Sequence, residues 1–171
     1  MKIAILGNGG FGTSMAIALA RAGRAVALWG HDRAYTEQIA ATRQNPRYLD
    51  GVTIPPEVLV TTDPRAALAR ADCVLVAVPT QHVRSALQPM AALLAGDVPI
   101  VSLAKGLEQA TGMRPSEVVA QVCGGAHRVL VLSGPSHAEE IARGLPTTVV
   151  LAGADEGTVR RLQEALATPT F

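Results

Sequence analysis

Lys2-Ile3-Ala4-Ile5-Leu6 runs without a break into Gly7-Asn8-Gly9-Gly10-Phe11-Gly12 and then into Thr13-Ser14-Met15-Ala16-Ile17. An apolar β-type run is followed by G-x-G-x-x-G and by a helix-forming run. The glycine spacing alone is weak, because 16 glycines in 171 residues produce such spacings by chance. Its context is specific: strand before, helix after, and a second apolar strand at 24–29 one helix later. That is the β-α-β fingerprint of dinucleotide-binding folds. Each glycine has its own task. Gly7 permits the tight turn, Gly9 lets the backbone approach a pyrophosphate, and Gly12 lets the helix pack against the strand. The helix N-terminus then presents N–H groups and partial positive charge to the phosphates.

Outward from this point, short runs rich in Val, Ile and Leu alternate with helical ones. Strands are expected at Lys2–Leu6, 24–29, Leu59–Thr61, 73–78, 99–102, Val129–Ser133 and 147–151. Helices are expected at 11–22, 34–43, 65–71, 81–94, 114–122, 136–143 and 155–166. Most strands lack polar alternation, which suits a mostly parallel sheet covered on both faces. The fold class is therefore α/β, a Rossmann-type doubly wound sheet. Residues 45–56, with Pro46, Gly51, Pro55 and Pro56, read as an ordered surface loop.

The composition excludes other classes. Hydrophobic residues make up 49% and charged residues 17%, so the chain has material for a core and lacks the signature of disorder. A net charge of +1 gives no general field for nucleic acid or an anionic membrane. No apolar run approaches the ~20 residues of a spanning helix, and the N-terminal apolar stretch is too brief for a signal peptide. Cys73 and Cys123, in apolar contexts, read as buried thiols of a reducing compartment, and no metal-ligand spacing is present.

Four further stretches fall where the fold places ligands, at the carboxyl edge of the sheet. The second strand ends in Trp29-Gly30-His31-Asp32-Arg33, with glycine instead of an acid at its tip. His31 and Arg33 can both face a 2′-phosphate and Asp32 a ribose, which favours NADP over NAD with dual use open. Pro79 sets a rigid turn after the fourth strand. After the fifth comes Lys105, one of only two lysines beside 13 arginines, whose ammonium can hold an anionic or carbonyl oxygen. The next junction, Ser133-Gly134-Pro135-Ser136-His137-Ala138-Glu139, reads as a second anion cradle, with Ser136 as helix N-cap and Glu139 closing a capping box. His137 has no carboxylate partner for a catalytic triad, and His82 and His127 read as surface residues.

Separated blocks match one family: residues 7–13 with Leu28-Trp29-Gly30-His31-Asp32, Asn45-Pro46-Arg47-Tyr48-Leu49, Ala104-Lys105-Gly106-Leu107-Glu108, residues 132–139, and Gly144-Leu145-Pro146-Thr147. Over essentially all 171 residues the chain resembles the N-terminal, coenzyme-binding half of bacterial NAD(P)-dependent glycerol-3-phosphate dehydrogenases. The resemblance implies a cytoplasmic oxidoreductase that converts dihydroxyacetone phosphate to sn-glycerol 3-phosphate for phospholipid synthesis. It implies cofactor contacts from Gly10, Phe11, His31, Lys105 and Ala138, substrate contacts from Lys105, Gly134 and Ser136, and a catalytic part for Lys105. It also implies a helical C-terminal domain, outside this chain, that supplies the acid/base lysine and most of the substrate phosphate site. A homodimer of the intact protein stays open. His137 and Gly10 depart from the family pattern. Two alternatives remain at this level: a non-catalytic NAD(P)-binding module, and a related two-domain dehydrogenase such as ketopantoate reductase.

Overall fold

The structure is a computed structural model that describes residues 1–94, 96–124 and 129–171. Its strands are β1 (Lys2–Leu6), β2 (Ala25–Trp29), β3 (Gln44–Asn45), β4 (Leu49–Thr53), β5 (Leu59–Thr61), β6 (Cys73–Val76), β7 (Ile100–Ser102), β8 (Val129–Ser133) and β9 (Val150–Gly153). Its α-helices are α1 (Gly10–Arg21), α2 (Arg33–Thr42), α3 (Pro64–Leu68), α4 (Val83–Leu87), α5 (Pro115–Val122), α6 (Ala138–Arg143) and α7 (Glu156–Leu166). Seven strands form one sheet in the order β5-β2-β1-β6-β7-β8-β9. All neighbours are parallel except β9, which runs antiparallel to β8. The chain reverses its direction of travel between β1 and β6, and doubly wound folds open their ligand crevice at that switch point.

Side chains alternate across the strands and build a core on each face. Ile3, Ile5, Val26, Leu28 and Leu75 join Met15 and Leu19 of α1 and Leu162 of α7 on one side. Ala4, Leu6, Ala27, Val74 and Val76 join Leu68 of α3, Val83 and Leu87 of α4 and Val118 of α5 on the other. Polar residues fix the helix ends. Asp32, Asp63 and Asp155 cap α2, α3 and α7 by accepting from Tyr35, Arg65 and Thr158 N–H. Lys2 caps the other end of α3, donating to the carbonyls of Ala66 and Ala69. One of the two lysines therefore has a structural post.

The expected elements are largely present, with local differences. The expected strand 73–78 ends at Val76, where Ala77 and Pro79 turn into the crevice. The helix expected at 81–94 is a 3₁₀ turn (Thr80–His82), α4 and a second 3₁₀ segment (Gln88–Leu93), because Pro89 withholds a donor and clashes with a continuing α-helix. The strand expected at 147–151 begins at Val150. The expected loop 45–56 carries most of a small antiparallel hairpin, β3 with β4. His127 lies outside the described residues. Among the described residues no helix is long and apolar enough to cross a membrane.

Candidate functional site

At the β1–α1 turn, Gly7 has φ +117°, a conformation L side chains rarely adopt, and a Cβ there would lie 2.6 Å from Ala77 O. A Cβ on Gly12 would overlap the carbonyl oxygen of Gly7. Gly9 differs: beyond its chain neighbours, nothing of the protein lies within 4 Å of where its Cβ would be. The open space thus sits over the middle glycine, beside the start of a 12-residue helix with no acid in its first turn. The first N–H groups of any α-helix lack intrahelical partners. Here they face that space with the positive end of the helix dipole.

A buried polar network holds the turn from behind. Asn8 Nδ2 donates to Thr36 Oγ1 at 3.0 Å. Asn45 Nδ2 donates to Asn8 O at 2.8 Å and to Thr13 Oγ1 at 2.7 Å, while Asn45 Oδ1 accepts from the Tyr35 hydroxyl. The β3–β4 hairpin exists to deliver Asn45, which is 1% exposed. The same network explains the glycine at the tip of β2, since a Cβ on Gly30 would overlap Asn8 Nδ2 and Thr36 Oγ1. An acid has no room there. Asp32, the nearest carboxylate, is committed to the α2 cap and lies 3.8 Å from Arg47. Arg47 in turn covers the Tyr35 ring at 4.2 Å.

From this turn a crevice of about 810 Å³ runs along the carboxyl edge of the sheet, past Ala77, Pro79 and Thr80 to Lys105. His31 stands at one end and Lys105 at the other, and no carboxylate lines it among the described residues. A second cavity of about 410 Å³, walled by Trp29, Val78, Pro79, Ala86, Pro89 and Met90, adjoins it at the His31 end and is mostly apolar. At the far end Lys105 Nζ donates to Gly134 O at 3.1 Å, and Ser136 Oγ reaches the same oxygen at 3.3 Å. Lys105 and the Gly134–Ser136 junction, two separate readings from the sequence, therefore meet at one carbonyl.

The structure brings Gly7, Gly9, Gly10, Phe11, His31 and Lys105 to the crevice. Gly12 lies behind the turn as a packing glycine, and Ala138 approaches Gly10, whose own Cβ would lie 3.5 Å from the Ala138 methyl and 2.6 Å from Tyr48 O. Arg33 is not among the lining residues; its Nε donates to Glu37 at 2.9 Å across an exposed helix face. Ser136 does not cap a helix: α6 starts at Ala138 with His137 at the cap position, and no side-chain cap bond forms. The Ser136 hydroxyl is turned to Gly134 O instead, which also removes the capping box with Glu139. Tyr48 and Asn45 belong to the site although the residues alone did not announce them. The signal was the Asn45–Leu49 block, quoted above only for its resemblance.

The strand order, the glycine turn at the switch point and the carboxylate-free crevice define a Rossmann-type nucleotide-binding domain. More specifically, the chain belongs to the family described as "NAD-dependent glycerol-3-phosphate dehydrogenase N-terminus", whose model matches residues 2–159. It is similar to proteins named glycerol-3-phosphate dehydrogenase [NAD(P)+]: 44% identical over 170 residues to one from Bradyrhizobium diazoefficiens, covering 99% of this chain and 51% of that protein. For one from Streptomyces avermitilis the figures are 43% over 172 residues, 100% and 51%. A solved glycerol-3-phosphate dehydrogenase from Coxiella burnetii superposes with a TM-score of 0.92 at 34% identity, over 99% of this chain and 52% of that one. The chain spans about half the length of the curated relatives it matches.

Proposed function

We propose that this chain is the coenzyme-binding half of a cytoplasmic NAD(P)-dependent enzyme that reduces dihydroxyacetone phosphate to sn-glycerol 3-phosphate, a precursor of glycerophospholipids. The observation that carries the reading is the crevice itself. It has an open glycine turn and a helix N-terminus at one end, an ammonium and a hydroxyl converging on Gly134 O at the other, and no lining carboxylate to repel an anion. Residues 1–171 act in it as one nucleotide domain, and a second, helical half supplies the proton donor and most of the substrate phosphate site.

The nicotinamide cofactor, when bound, supplies the hydride. The chain's residues hold it: Gly7, Gly9, Gly10 and Gly12 shape the turn over which the pyrophosphate lies, and Phe11 and Ala138 flank it. The apolar cavity next to His31 takes the flat base. His31 faces the 2′-phosphate and makes NADPH the preferred form. Arg33 joins it at little cost, since exposed i,i+4 ion pairs such as the one it makes with Glu37 are worth only about 0.3–0.5 kcal/mol. Lys105 leaves the Gly134 carbonyl to polarise the substrate's carbonyl oxygen, where negative charge grows in the transition state. Ser136 and Gly134 hold the same end of the substrate.

Calorimetric titration with NADPH tests the reading. The chain binds the dinucleotide, and Gly9→Val abolishes binding with the fold intact, because the new side chain fills only the space meant for the pyrophosphate. Equal affinity of the two proteins refutes the site.

A further inference from the structure

The residues after β6 and those after β7 lie side by side at the carboxyl edge, because these strands pair with Val76 beside Ser102. What joins them is not backbone pairing. Thr80 Oγ1 donates to Lys105 O. Gln81 bridges the next stretch, its Nε2 donating to Leu107 O at 2.9 Å and its Oε1 accepting from Gln109 N at 2.9 Å. Arg84 meets Glu108 through two parallel bonds of 2.9 and 2.8 Å, and Thr111 Oγ1 donates to the same carboxylate at 2.6 Å. Lys105, Leu107, Glu108 and Gln109 are thus each gripped by a side chain from residues 80–84. The one residue skipped, Gly106, has φ +90° and is where the chain swings away from the sheet.

The grip is built where solvent competes least. Glu108 is 5% exposed in a segment whose neighbours are exposed, an unusual place for a carboxylate unless its charge has a fixed partner. A paired guanidinium–carboxylate fork fixes orientation as well as distance. From this loop the Lys105 side chain reaches on across the crevice, its Nζ donating to Gly134 O. Lys105 has a long, flexible, exposed side chain, and its reach is set by where its backbone is held.

We propose that Thr80, Gln81, Arg84 and Glu108 are positioning residues that form a clamp holding the backbone of Lys105 so that its ammonium lies at the Gly134 carbonyl. The inference rests on the reading of Lys105 as the ligand-facing cation. The clamp acts through Lys105: Thr80 and Gln81 also line the crevice, but their bonds run to the backbone of residues 105–109. It replaces loop flexibility with a preset geometry, which is what an ammonium aimed at a developing oxyanion requires.

The chain's composition offers a clean test. With lysine labelled in ¹⁵N and ¹³C, only Lys2 and Lys105 give signals, and Lys2 caps α3 away from the clamp as an internal reference. In Thr80→Val and in Gln81→Ala, the Lys105 amide order parameter falls from the rigid range near about 0.85 to below about 0.6. Its ε-carbon signal moves to the free-lysine position, and both Lys2 signals stay in place. Thr80→Ser, which keeps the hydroxyl, restores the parent spectrum. Circular dichroism confirms folding, and Gln81, whose side chain is exposed, keeps the test open if Thr80→Val fails to fold. Unmoved Lys105 signals in either folded variant overturn the proposal, even when the melting temperature falls, since that is what a merely structural clamp gives. Addition of NADPH to the parent separates the two readings: if Lys105 ignores the dinucleotide while the variants still loosen it, the clamp stands and the functional reading fails.

Discussion

Two strand-to-helix junctions open onto the crevice, and they are built differently. The first, between β1 and α1, lies inside the sheet, between β2 and β6, and feeds a 12-residue helix. Its shape is set by backbone: Gly12 against Gly7, Gly10 against Tyr48, and Asn8 held by Asn45 and Thr36. The second, between β8 and α6, lies one strand from the edge and feeds a helix of six residues. Its shape is set by side chains, Lys105 and Ser136, arriving at one half-buried carbonyl, that of Gly134. A pyrophosphate is the same in every dinucleotide, and a rigid backbone cradle suits it. A site that must admit and release a small reactant is better served by side chains that can exchange a carbonyl for a ligand.

Substitutions at matched glycines break this contrast most sharply. Gly12→Val leaves the protein unable to form the turn, with a stability loss of about 3 kcal/mol or more in denaturant titration, because a Cβ there meets backbone. Gly134→Ala costs less, about 1–3 kcal/mol, since its Cβ, 2.9 Å from Thr148 O and Val149 Cα, also meets backbone but overlaps it far less than a Cβ on Gly12 does. Equal losses would mean that the second junction is as rigid as the first.

Next in size is the chemistry at the second junction. In the intact enzyme, Lys105→Met and Lys105→Arg lower kcat/KM by on the order of 10²-fold or more, the worth of one oxyanion donor. NADPH affinity, which the proposed function assigns to the first junction, falls less. Steady-state kinetics with dihydroxyacetone phosphate beside a binding titration reads both, and near-parental kcat/KM in Lys105→Met returns the residue to an ordinary surface charge.

A smaller effect belongs to the tip of β2. His31→Ala with Arg33→Ala lowers the ratio of NADPH to NADH affinity by about 10-fold, as expected for one charge-assisted hydrogen bond. Arg33→Ala alone does less, because Arg33 stands outside the crevice lining that holds His31. An unchanged ratio in the double variant leaves the pair as a solvated turn.

The smallest effect is in acid. The fork from Arg84, and then the Thr111 hydroxyl, hold the Glu108 carboxyl down to about 2, well below the ordinary 4.5. A lowered folded-state value contributes stability that is present above the ordinary range and is lost as pH falls towards 2. The melting temperature of the parent therefore drops more steeply between pH 4.5 and 2 than that of Glu108→Gln. Parallel curves for the two proteins would remove Glu108 from the acid response.

Much of the first junction was legible, because its requirements are local. Gly7, Gly9 and Gly12 lie within six residues of each other, directly after an apolar strand, and backbone geometry leaves little other use for that spacing. The central strands β1, β2, β6 and β7 were legible for a similar reason, since runs of Val, Ile and Leu buried on both faces stand out from their flanks. The hairpin of β3 and β4 was not. Its strands are short and mostly polar, and they hold because Asn45 finds Asn8, 37 residues away. Nor was the direction of β9, since an edge strand pairs equally well either way by its residues alone.

Composition and local pattern determined an α/β chain, a glycine turn over a helix start, and a lysine near the carboxyl edge. Which groups meet there was decided only by the tertiary structure. Arg84 and Glu108 are 24 residues apart, Lys105 and Gly134 are 29, and each pair is joined by adjacent strands of the sheet. Arg33 and Ser136 show the converse. The Arg33 side chain donates to a glutamate one helical turn along and stands outside the crevice lining, and the carbonyl of Gly134 turned the Ser136 hydroxyl away from its cap. Sequence fixes what each residue can donate or accept. Only the packed sheet fixes which partner is within 3 Å, because that distance is a sum over every element between them.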